Sequence, residues 1–317
     1  MDLLNLQPSV VSGDLKGINF LFYGGPGTRK TSIAARMPRP VFAQTENGTK
    51  FISGVRGVRI KTWGEFLQFI RELKRPEVLE AYDTVVLDRA DTLYGYCYDY
   101  TLKQLGIDEP NQKGYGAGWK KIEKNWTSAM NTMEGLGYGI VFICHDKDIS
   151  DSSMNVIGTK VKLENTPLGV IRGLVDFIFN CKKEVVDGHQ TVIAYSDSMD
   201  ADTKHRAHYF TDKFEFTFEN LQYELELAVQ KQVKMEGIQV QVKEGKTQIE
   251  ERSFEDIRSN VITLVTKFME EESSHMADIQ QIINIQLQGK RLSEVNATYY
   301  NQMLTIETYL ISLEVTE

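Results

Sequence analysis

Short runs of consecutive apolar residues recur along the first two thirds of the chain and alternate with amphipathic stretches. Runs of this length are typical of strands buried in a parallel sheet. Helical spacing of the apolar positions in 63–73 and 118–136 predicts helices that connect such strands. The strand-like runs are 18–23, 40–45, 84–88, 140–144, 175–180 and 191–195. The pattern predicts an α/β fold with a parallel, doubly wound sheet, whose chemistry lies at the carboxyl ends of the strands.

Beyond about residue 215 nearly every apolar position falls at helical spacing. Three apolar stripes cover 257–268, 276–287 and 295–310, and Ser253 with Asp256 has the pattern of a helix N-terminal cap. Basic and acidic residues balance in the first 215 residues, so the acidic excess behind the net charge of −8 lies in the rest. We predict two domains, a core over 1–215 and an acidic, mainly helical region over 216–317.

Composition is that of an ordinary globular protein, with 41% hydrophobic and 25% charged residues. No apolar run approaches the ~20 residues of a membrane helix, and the start has no secretion signal. Cys97, Cys144 and Cys181 are too far apart to suggest a zinc site or a disulfide framework. We expect a cytoplasmic protein without a membrane partner.

The first apolar run leads into a loop that fits G-x-x-x-x-G-K-[ST], the pattern of a phosphate-binding loop (P-loop), at every position but one, and a helical stretch follows it. The loop residues are Gly24, Gly25, Pro26, Gly27, Thr28, Arg29, Lys30 and Thr31, followed by Ser32. Loop amides and Lys30 are expected to bind nucleotide phosphates, and the Thr31 hydroxyl to bind Mg²⁺. The alternative is a Gly/Pro turn that precedes Lys-Thr by chance. Arg29 stands where the pattern has its last glycine, so its side chain must point away or contact the nucleotide.

Two acids follow later strands. Asp88 ends the run 84–88 and is placed to hold Mg²⁺, with a helix cap or a solvated strand end as the alternative. Glu46 follows the run 40–45 and suits general-base or water-positioning work, with an exposed turn acid as the alternative.

The turn Thr45-Glu46-Asn47-Gly48 resembles that of the RecA family, whose glutamate at this place polarises the attacking water. The resemblance is closest to phage-encoded nucleotide-binding AAA-type proteins, a RecA-related group that includes single-strand annealing ATPases. It covers about residues 15–218 and extends to His145 after a strand, the pair Val175-Asp176 and the basic segment 202–206. It implies a RecA-like core, ATP and Mg²⁺ as cofactors, and His145 as a γ-phosphate sensor; a satisfied polar residue is the alternative for His145.

In RecA-like oligomers a basic residue of a neighbouring subunit completes the nucleotide site. The resemblance gives this role to Lys204 or Arg206, and Arg206 is favoured because a guanidinium pairs bidentately with phosphate. A solvated loop charge is the alternative. The resemblance therefore implies a homo-oligomer, either a ring or a filament.

RecA-like proteins grip DNA with two loops, which by position are about 94–124 and 146–169. The first is rich in Tyr and Lys, suited to base stacking and phosphate contacts, and the second has Lys among Ser, Asn and Gly. The alternative for Lys120–Lys124 is the solvated side of a helix. The resulting hypothesis is a Mg²⁺-dependent ATPase acting on single-stranded DNA in phage-type recombination or annealing, with a single-strand-binding protein as a further partner and the host cytoplasm as its compartment.

Two other classes stay open at this point. A nucleotide-dependent assembly or helicase-loader protein with weak hydrolysis would explain Arg29. A small-molecule kinase or GTPase ranks lowest, because no guanine-specific Asn/Thr-Lys-x-Asp motif and no Arg-rich lid is found where it would be needed.

Overall fold

A computed structural model of the protein describes residues 13–186, 188–236, 253–270 and 275–314. The chain forms two compact units, Met1–Thr247 and Gln248–Glu317. The strands of the first unit are β1 Phe20–Tyr23, β2 Pro40–Gln44, β3 Arg56–Arg59, β4 Thr84–Asp88, β5 Gly139–Cys144, β6 Asp146–Ser150, β7 Val156–Val161, β8 Phe177–Val186, β9 His189–Tyr195, β10 Lys204–His205 and β11 Lys213–Glu215. Its helices are α1 Lys30–Ala34, α2 Trp63–Leu73, α3 Pro76–Ala81, α4 Ala90–Leu105, α5 Ala117–Glu134, α6 Asn165–Leu174 and α7 Phe218–Glu236.

Nine strands form one sheet, in the order β11-β9-β8-β1-β5-β4-β2-β3, with β10 paired to β8. The six strands from β3 to β8 in this order run parallel, while β9, β10 and β11 are antiparallel to their neighbours. The central strands β1, β4 and β5 are buried along their whole length, as their apolar sequences predict. This architecture confirms the predicted α/β class with a mostly parallel sheet.

Both faces of the sheet carry an apolar core. On one face Leu21, Leu87 and Phe142 pack with residues of α2, α4 and α5, including the stacked pair Trp63 and Trp126. On the other face the rings of Phe20, Phe22 and Phe179 contact one another, and Phe22 and Phe179 are stacked. Helices on both sides leave the carboxyl edge of the parallel strands as the open surface, and the loops that follow β1, β2, β4 and β5 meet there.

The first predicted DNA-binding loop, 94–124, is mainly helical. α4 covers its first part and α5 begins at Ala117. Leu93 and Tyr94 are buried, and so is Cys97 one helical turn further on, which gives the Tyr-rich segment an apolar stripe that its polar composition obscured. Tyr94 is therefore a core residue and is not available for base stacking, whereas Tyr115 is fully exposed.

The second predicted loop, 146–169, is also structured. β6 and β7 pair as an antiparallel hairpin outside the main sheet, and α6 begins at Asn165. A bridge between Thr159 and Ala201 holds β7 beside the chain that leads to β10. The segment is thus a β-hairpin followed by a helix, where the sequence predicted a DNA-binding loop.

The first unit extends beyond the domain boundary predicted at residue 215. Helix α7 buries Leu221, Leu225 and Ala228 in the same apolar cluster as the β1 residues Phe20 and Phe22. Its apolar positions thus complete the core of the sheet, although α7 is helical like the region that follows.

The second unit contains α8 Phe254–Glu270, α9 Met276–Leu287 and α10 Tyr300–Glu314. Their apolar stripes pack on one another, around Ile257, Val261 and Ile306. Ser253 and Asp256 exchange hydrogen bonds, from the Ser253 N–H to the Asp256 carboxylate and from the Asp256 N–H to the Ser253 hydroxyl, each 3.1 Å long. This is the predicted N-terminal cap of α8. The helical C-terminal region is thus confirmed. In the described part of the chain no helix is long and apolar enough to span a membrane.

Candidate nucleotide-binding site

The P-loop connects β1 to α1 and is closed around the side chain of Lys30. The Lys30 Nζ donates hydrogen bonds to the Gly24 carbonyl (2.7 Å), the Gly25 carbonyl (2.8 Å) and the Thr28 hydroxyl (2.9 Å). The Thr28 hydroxyl in turn donates to the Gly25 carbonyl. Lys30 is buried, and this burial lowers the pKa of its ammonium. The loop therefore holds its lysine at the place where the β- and γ-phosphates bind in P-loop proteins.

Two P-loop glycines adopt backbone conformations that other residues avoid. Gly24 has a φ of 150° and lies so close to β8 that a Cβ there would be 2.1 Å from the Cys181 carbonyl oxygen. Gly27 has a φ of 72°, in the left-handed region. The loop takes this course only because both positions lack a side chain.

Arg29, which replaces the last glycine of the pattern, has a φ of 60° and precedes α1. Its guanidinium forms an exposed ion pair with Glu215 of β11, at 3.6 Å. The side chain is thus directed toward the antiparallel edge of the sheet. Of the two directions that the sequence allowed, Arg29 thus takes the one that points away, toward a residue of its own chain.

The carboxyl ends of β1 and β4 bring Thr31 and Asp88 together, although 56 residues separate them in the chain. The Thr31 hydroxyl donates a hydrogen bond to Asp88 Oδ2 at 3.0 Å. A Cβ on Gly48 would lie 3.3 Å from that carboxylate oxygen and 3.7 Å from the Thr31 hydroxyl oxygen. Gly48, in the turn after β2, therefore leaves the space beside the two oxygens free.

Asp88 is almost completely inaccessible to solvent. Burial raises the pKa of its carboxyl to about 6, the hydrogen bond from Thr31 opposes this shift, and the negative charge of Glu46 adds to it. A divalent cation beside Asp88 would relieve the cost of burying this charge. Hydroxyl and carboxylate oxygens are the ligands that Mg²⁺ prefers, so Thr31 and Asp88 fit this ion.

A cage made by the protein alone is not found, since no group of three or more His, Cys, Asp or Glu side chains among the described residues could hold a metal. Mg²⁺ in phosphate-binding sites usually has one or two protein ligands and takes the rest from phosphate and water. The set of Thr31 and Asp88 suits a metal that arrives with a nucleotide.

Glu46 follows β2, the neighbour of β4, and its carboxylate accepts a hydrogen bond from a residue that the sequence analysis did not identify. Arg89 Nη1 donates a 3.0 Å hydrogen bond to Glu46 Oε2. The same guanidinium binds both carboxylate oxygens of Asp91, at 3.0 and 2.8 Å. Asp91 thus fixes Arg89, and Arg89 fixes the direction of the Glu46 carboxylate.

His145 lies at the end of β5, one position beyond the pairing of Tyr23 with Cys144. Burial lowers the pKa of its imidazole, and the positive charge of Arg89 acts in the same direction. His145 is therefore neutral at pH 7 and offers one hydrogen-bond donor and one acceptor. Asp146, the next residue, lies near the P-loop, with Oδ1 4.0 Å from where a Cβ on Gly25 would be.

Arg206 and Lys204 lie away from this cluster. β10 pairs with the start of β8, at Phe177 and Ile178, opposite the first residues of β1, whereas the P-loop follows the last residue of β1. The Arg206 guanidinium bonds to Asp176 and to the Gly173 carbonyl, and Lys204 donates to the carbonyls of Arg172 and Val175. Within its own chain this basic pair binds the C-terminal end of α6. Its action on a neighbouring subunit stays a prediction.

The structure thus brings together Lys30, Thr31, Asp88, Glu46 and His145 at one edge of the sheet. The sequence analysis did not identify Arg89 and Asp91, which come directly after the predicted strand 84–88. It also did not identify Lys183, whose Nζ lies next to Gly27. The position of Arg89 directly after Asp88 was a usable signal for that residue. For Lys183 the sequence has no comparable signal, because only the pairing of β8 with β1 brings it to the P-loop.

Comparison with known proteins finds relatives of viral and prophage origin. The chain is 26% identical to an uncharacterized, SPbeta prophage-derived protein of Bacillus subtilis, over 96% of both chains. It is 32% identical to a putative replication factor C small subunit of Acanthamoeba polyphaga mimivirus, over 24% of this chain and 23% of the relative.

Solved structures with partial similarity include a KaiC-like protein of Pyrococcus horikoshii, at 12% identity and a TM-score of 0.33. This alignment covers 57% of this chain and 78% of the other. The flagellar accessory protein FlaH of Methanocaldococcus jannaschii aligns at 10% identity with the same TM-score, over 57% and 77% of the two chains. The model of one protein family matches residues 16–211, which span the P-loop, both strand-end acids and most of the sheet. The chain belongs to this family, the AAA domain.

Proposed function

We propose that the protein binds ATP together with Mg²⁺ and hydrolyses it. The observation that carries this proposal is the convergence of Lys30, Thr31 and Asp88, with Glu46 on the neighbouring strand end, at the open edge of the sheet. Each residue has the chemistry that one part of the reaction needs: an ammonium for phosphate, two oxygens for the metal, and a carboxylate for water.

In the proposed mechanism Lys30 and the P-loop amides bind the β- and γ-phosphates. Thr31 and Asp88 would hold Mg²⁺, which would neutralise phosphate charge when bound. Glu46 orients the attacking water and accepts its proton, with Arg89 holding the carboxylate in place. His145, neutral and able to hydrogen-bond, contacts the γ-phosphate side of the site and relays its state to the β6–β7 hairpin that begins at the next residue.

We further propose that the substrate on which this ATPase acts is single-stranded DNA, in phage-type recombination or annealing. One full-length relative is prophage-derived, which supports a phage setting. The hairpin and the residue after it carry the exposed lysines Lys147, Lys160 and Lys162, suited to phosphate contacts, and exposed apolar side chains at Met154 and Val156, suited to contacts with bases. Their direct connection to His145 would couple DNA binding to the nucleotide.

A ring or filament of identical subunits is part of this proposal, with Arg206 of one subunit completing the site of the next. In that arrangement Arg206 would exchange its contacts with Asp176 and Gly173 for the phosphates of the neighbour. A single-strand-binding protein is a further expected partner.

The second candidate is a nucleotide-dependent assembly or helicase-loader protein with weak hydrolysis. The ion pair of Glu46 with Arg89 favours it, because a carboxylate engaged by a guanidinium is a weaker base for water. A relative described as a putative replication factor C small subunit agrees with a role in replication.

The test is ATP turnover of the purified chain with Mg²⁺, with and without single-stranded DNA, and with Glu46→Gln as the control. We expect turnover that DNA stimulates and that falls roughly 10²-fold or more in Glu46→Gln while ATP binding is retained. Tight ATP binding with negligible turnover in both proteins, with or without DNA, would favour the loader. If the wild-type chain did not bind ATP, the proposed function would be wrong.

A further inference from the structure

Strand β8 lies along one side of the P-loop, although its residues are not part of the P-loop sequence motif. β8 runs parallel to β1, with Asn180 opposite Tyr23, and continues to Val186 after β1 has turned into the P-loop. β8 and the P-loop are in close contact, since the Cys181 carbonyl oxygen lies 2.1 Å from where a Cβ on Gly24 would be. The residues of β8 beyond Asn180 therefore line one side of the phosphate-binding loop.

Lys183 lies on the side of β8 that faces this loop. Side chains alternate along a strand, so Cys181 and Lys183 share a face. The Cys181 Cβ is 3.4 Å from the Cβ position of Gly24, and the Lys183 Nζ is 3.0 Å from the Cβ position of Gly27. Lys182 has the opposite orientation, with its Nζ 5.6 Å from the ring centroid of Tyr195.

The Lys183 ammonium differs from the other cations near the loop, because it has no hydrogen-bond or ion-pair partner among the described residues. Arg29 pairs with Glu215, and Arg89 pairs with two carboxylates. The Lys30 ammonium donates to three oxygens of the loop. For Lys183, by contrast, no hydrogen bond or ion pair to another residue in the described part of the chain is found. A charged group in this position is free to bind an anion that enters the loop.

A bound polyphosphate would also need this charge. The loop is bordered by the carboxylates of Asp88 and Asp146, both close enough to act on the charge of Lys30. Even together with the two positive charges of a bound Mg²⁺, Lys30 cannot balance these two carboxylates and the several negative charges of a nucleotide di- or triphosphate. A second ammonium on the other side of the loop would offset this excess.

We propose that Lys183 is a second phosphate-binding lysine, which contacts the polyphosphate of the nucleotide from the β8 side of the P-loop. The inference rests on the proposed function, since it needs a nucleotide in the loop. The long, flexible stem lets the ammonium follow the phosphate oxygens as a point charge. The ligand class is a nucleoside di- or triphosphate, and a nucleoside monophosphate should gain much less from this contact.

The experiment measures the dissociation constants of ATP, ADP and AMP by isothermal titration calorimetry in the presence of Mg²⁺. It compares the wild-type chain with Lys183→Ala, Lys183→Arg and the matched control Lys182→Ala on the neighbouring position of the same strand. Lys183→Ala loses one charge-assisted contact and should therefore bind ATP and ADP roughly 10- to 100-fold more weakly than the wild type. Lys183→Arg should retain most of the affinity, and Lys182→Ala should match the wild type.

Two results would contradict the inference, and only one of them would also contradict the proposed function. If the wild type binds ATP and Lys183→Ala binds it as tightly as Lys182→Ala does, Lys183 has no role in phosphate binding and the proposed function stands. If neither the wild type nor Lys182→Ala binds ATP, the proposed function and the inference fall together. Because Lys183 is exposed, its replacement should leave folding intact, and equal thermal unfolding of the two Ala variants checks this.

Discussion

Replacement of Asp88 by Asn would remove a buried charge from the metal-binding edge of the site and keep the shape of the side chain. Without metal the Asp88 carboxylate has one hydrogen bond from Thr31 and almost no access to water. An Asn side chain still offers a carbonyl oxygen to the Thr31 hydroxyl. We therefore expect Asp88→Asn to stabilise the metal-free protein while it abolishes the effect of Mg²⁺ on nucleotide binding.

The expected gain follows from the pKa of Asp88. Burial raises this pKa from 3.8 to about 6, a difference of about 2 units, which corresponds to about 3 kcal/mol. The folded state binds the proton more tightly than the unfolded state, so ionisation of Asp88 destabilises the fold. This penalty develops between about pH 4 and pH 6 and is constant above pH 6. The gain in Asp88→Asn should be about 2–3 kcal/mol at pH 8 and about half of that at pH 5.

Urea denaturation followed by tryptophan fluorescence, in EDTA, measures this difference. Trp63, Trp119 and Trp126 are the three tryptophans of the chain and all belong to the first unit, so the signal reports the unfolding of the unit that contains Asp88. Asp148→Asn, at an exposed carboxylate of the β6–β7 hairpin, is the control and should change stability by less than about 0.5 kcal/mol.

A second measurement separates stability from function. Mg²⁺ with ATP should raise the urea midpoint of the wild type and leave that of Asp88→Asn close to its metal-free value, because the variant lacks a metal ligand. The reasoning would be refuted if Asp88→Asn were less stable than the wild type at pH 8, or if its advantage were equal at pH 5 and pH 8. Either result would mean that the carboxylate is not strained by burial.

The remaining predictions concern binding and assembly. Lys30→Ala should abolish ATP binding in a calorimetric titration, since it removes the ammonium at the centre of the P-loop; unchanged affinity would remove the P-loop assignment itself. Arg206→Ala should bind nucleotide but hydrolyse it poorly. A mixture of Arg206→Ala with Glu46→Gln should regain part of the activity in a turnover assay, because a mixed interface can pair an intact Glu46 with an intact Arg206. A monomeric protein with full turnover would contradict the second prediction.

The parts of the site that are local in sequence were predictable. The P-loop, with Lys30 and Thr31, is a continuous segment between a strand and a helix, and its residue types alone indicate phosphate chemistry. The strand-end rule brought Asp88 and Glu46 to the same edge, because parallel strands present their carboxyl ends together. The pattern of short apolar runs likewise predicted the strands β1, β2, β4 and β5 within two residues of their observed ends.

The rest depends on partners that only the fold provides. The direction of Arg29 is set by Glu215, far along the chain, and the partner of Glu46 is a guanidinium whose role no motif describes. Helix α4 was not predicted because its buried face mixes leucines with a tyrosine, a cysteine and a threonine, which weakens the apolar pattern. The extension of the first unit to α7 could not be read from periodicity, since an amphipathic helix has the same pattern whether it packs on a sheet or on other helices.

The position of β1 between β5 and β8 has a consequence for how the protein is made. Phe20 pairs with Val141 on one side and Phe177 on the other, and both partners leave the ribosome long after β1 has done so. During that interval an entirely apolar strand has two open edges, the condition under which nascent chains aggregate or recruit chaperones. The nucleotide site therefore cannot be complete before β8 has been synthesised. A fragment that ends before β8 would contain the whole P-loop sequence but would lack the strand that lies along one side of the P-loop.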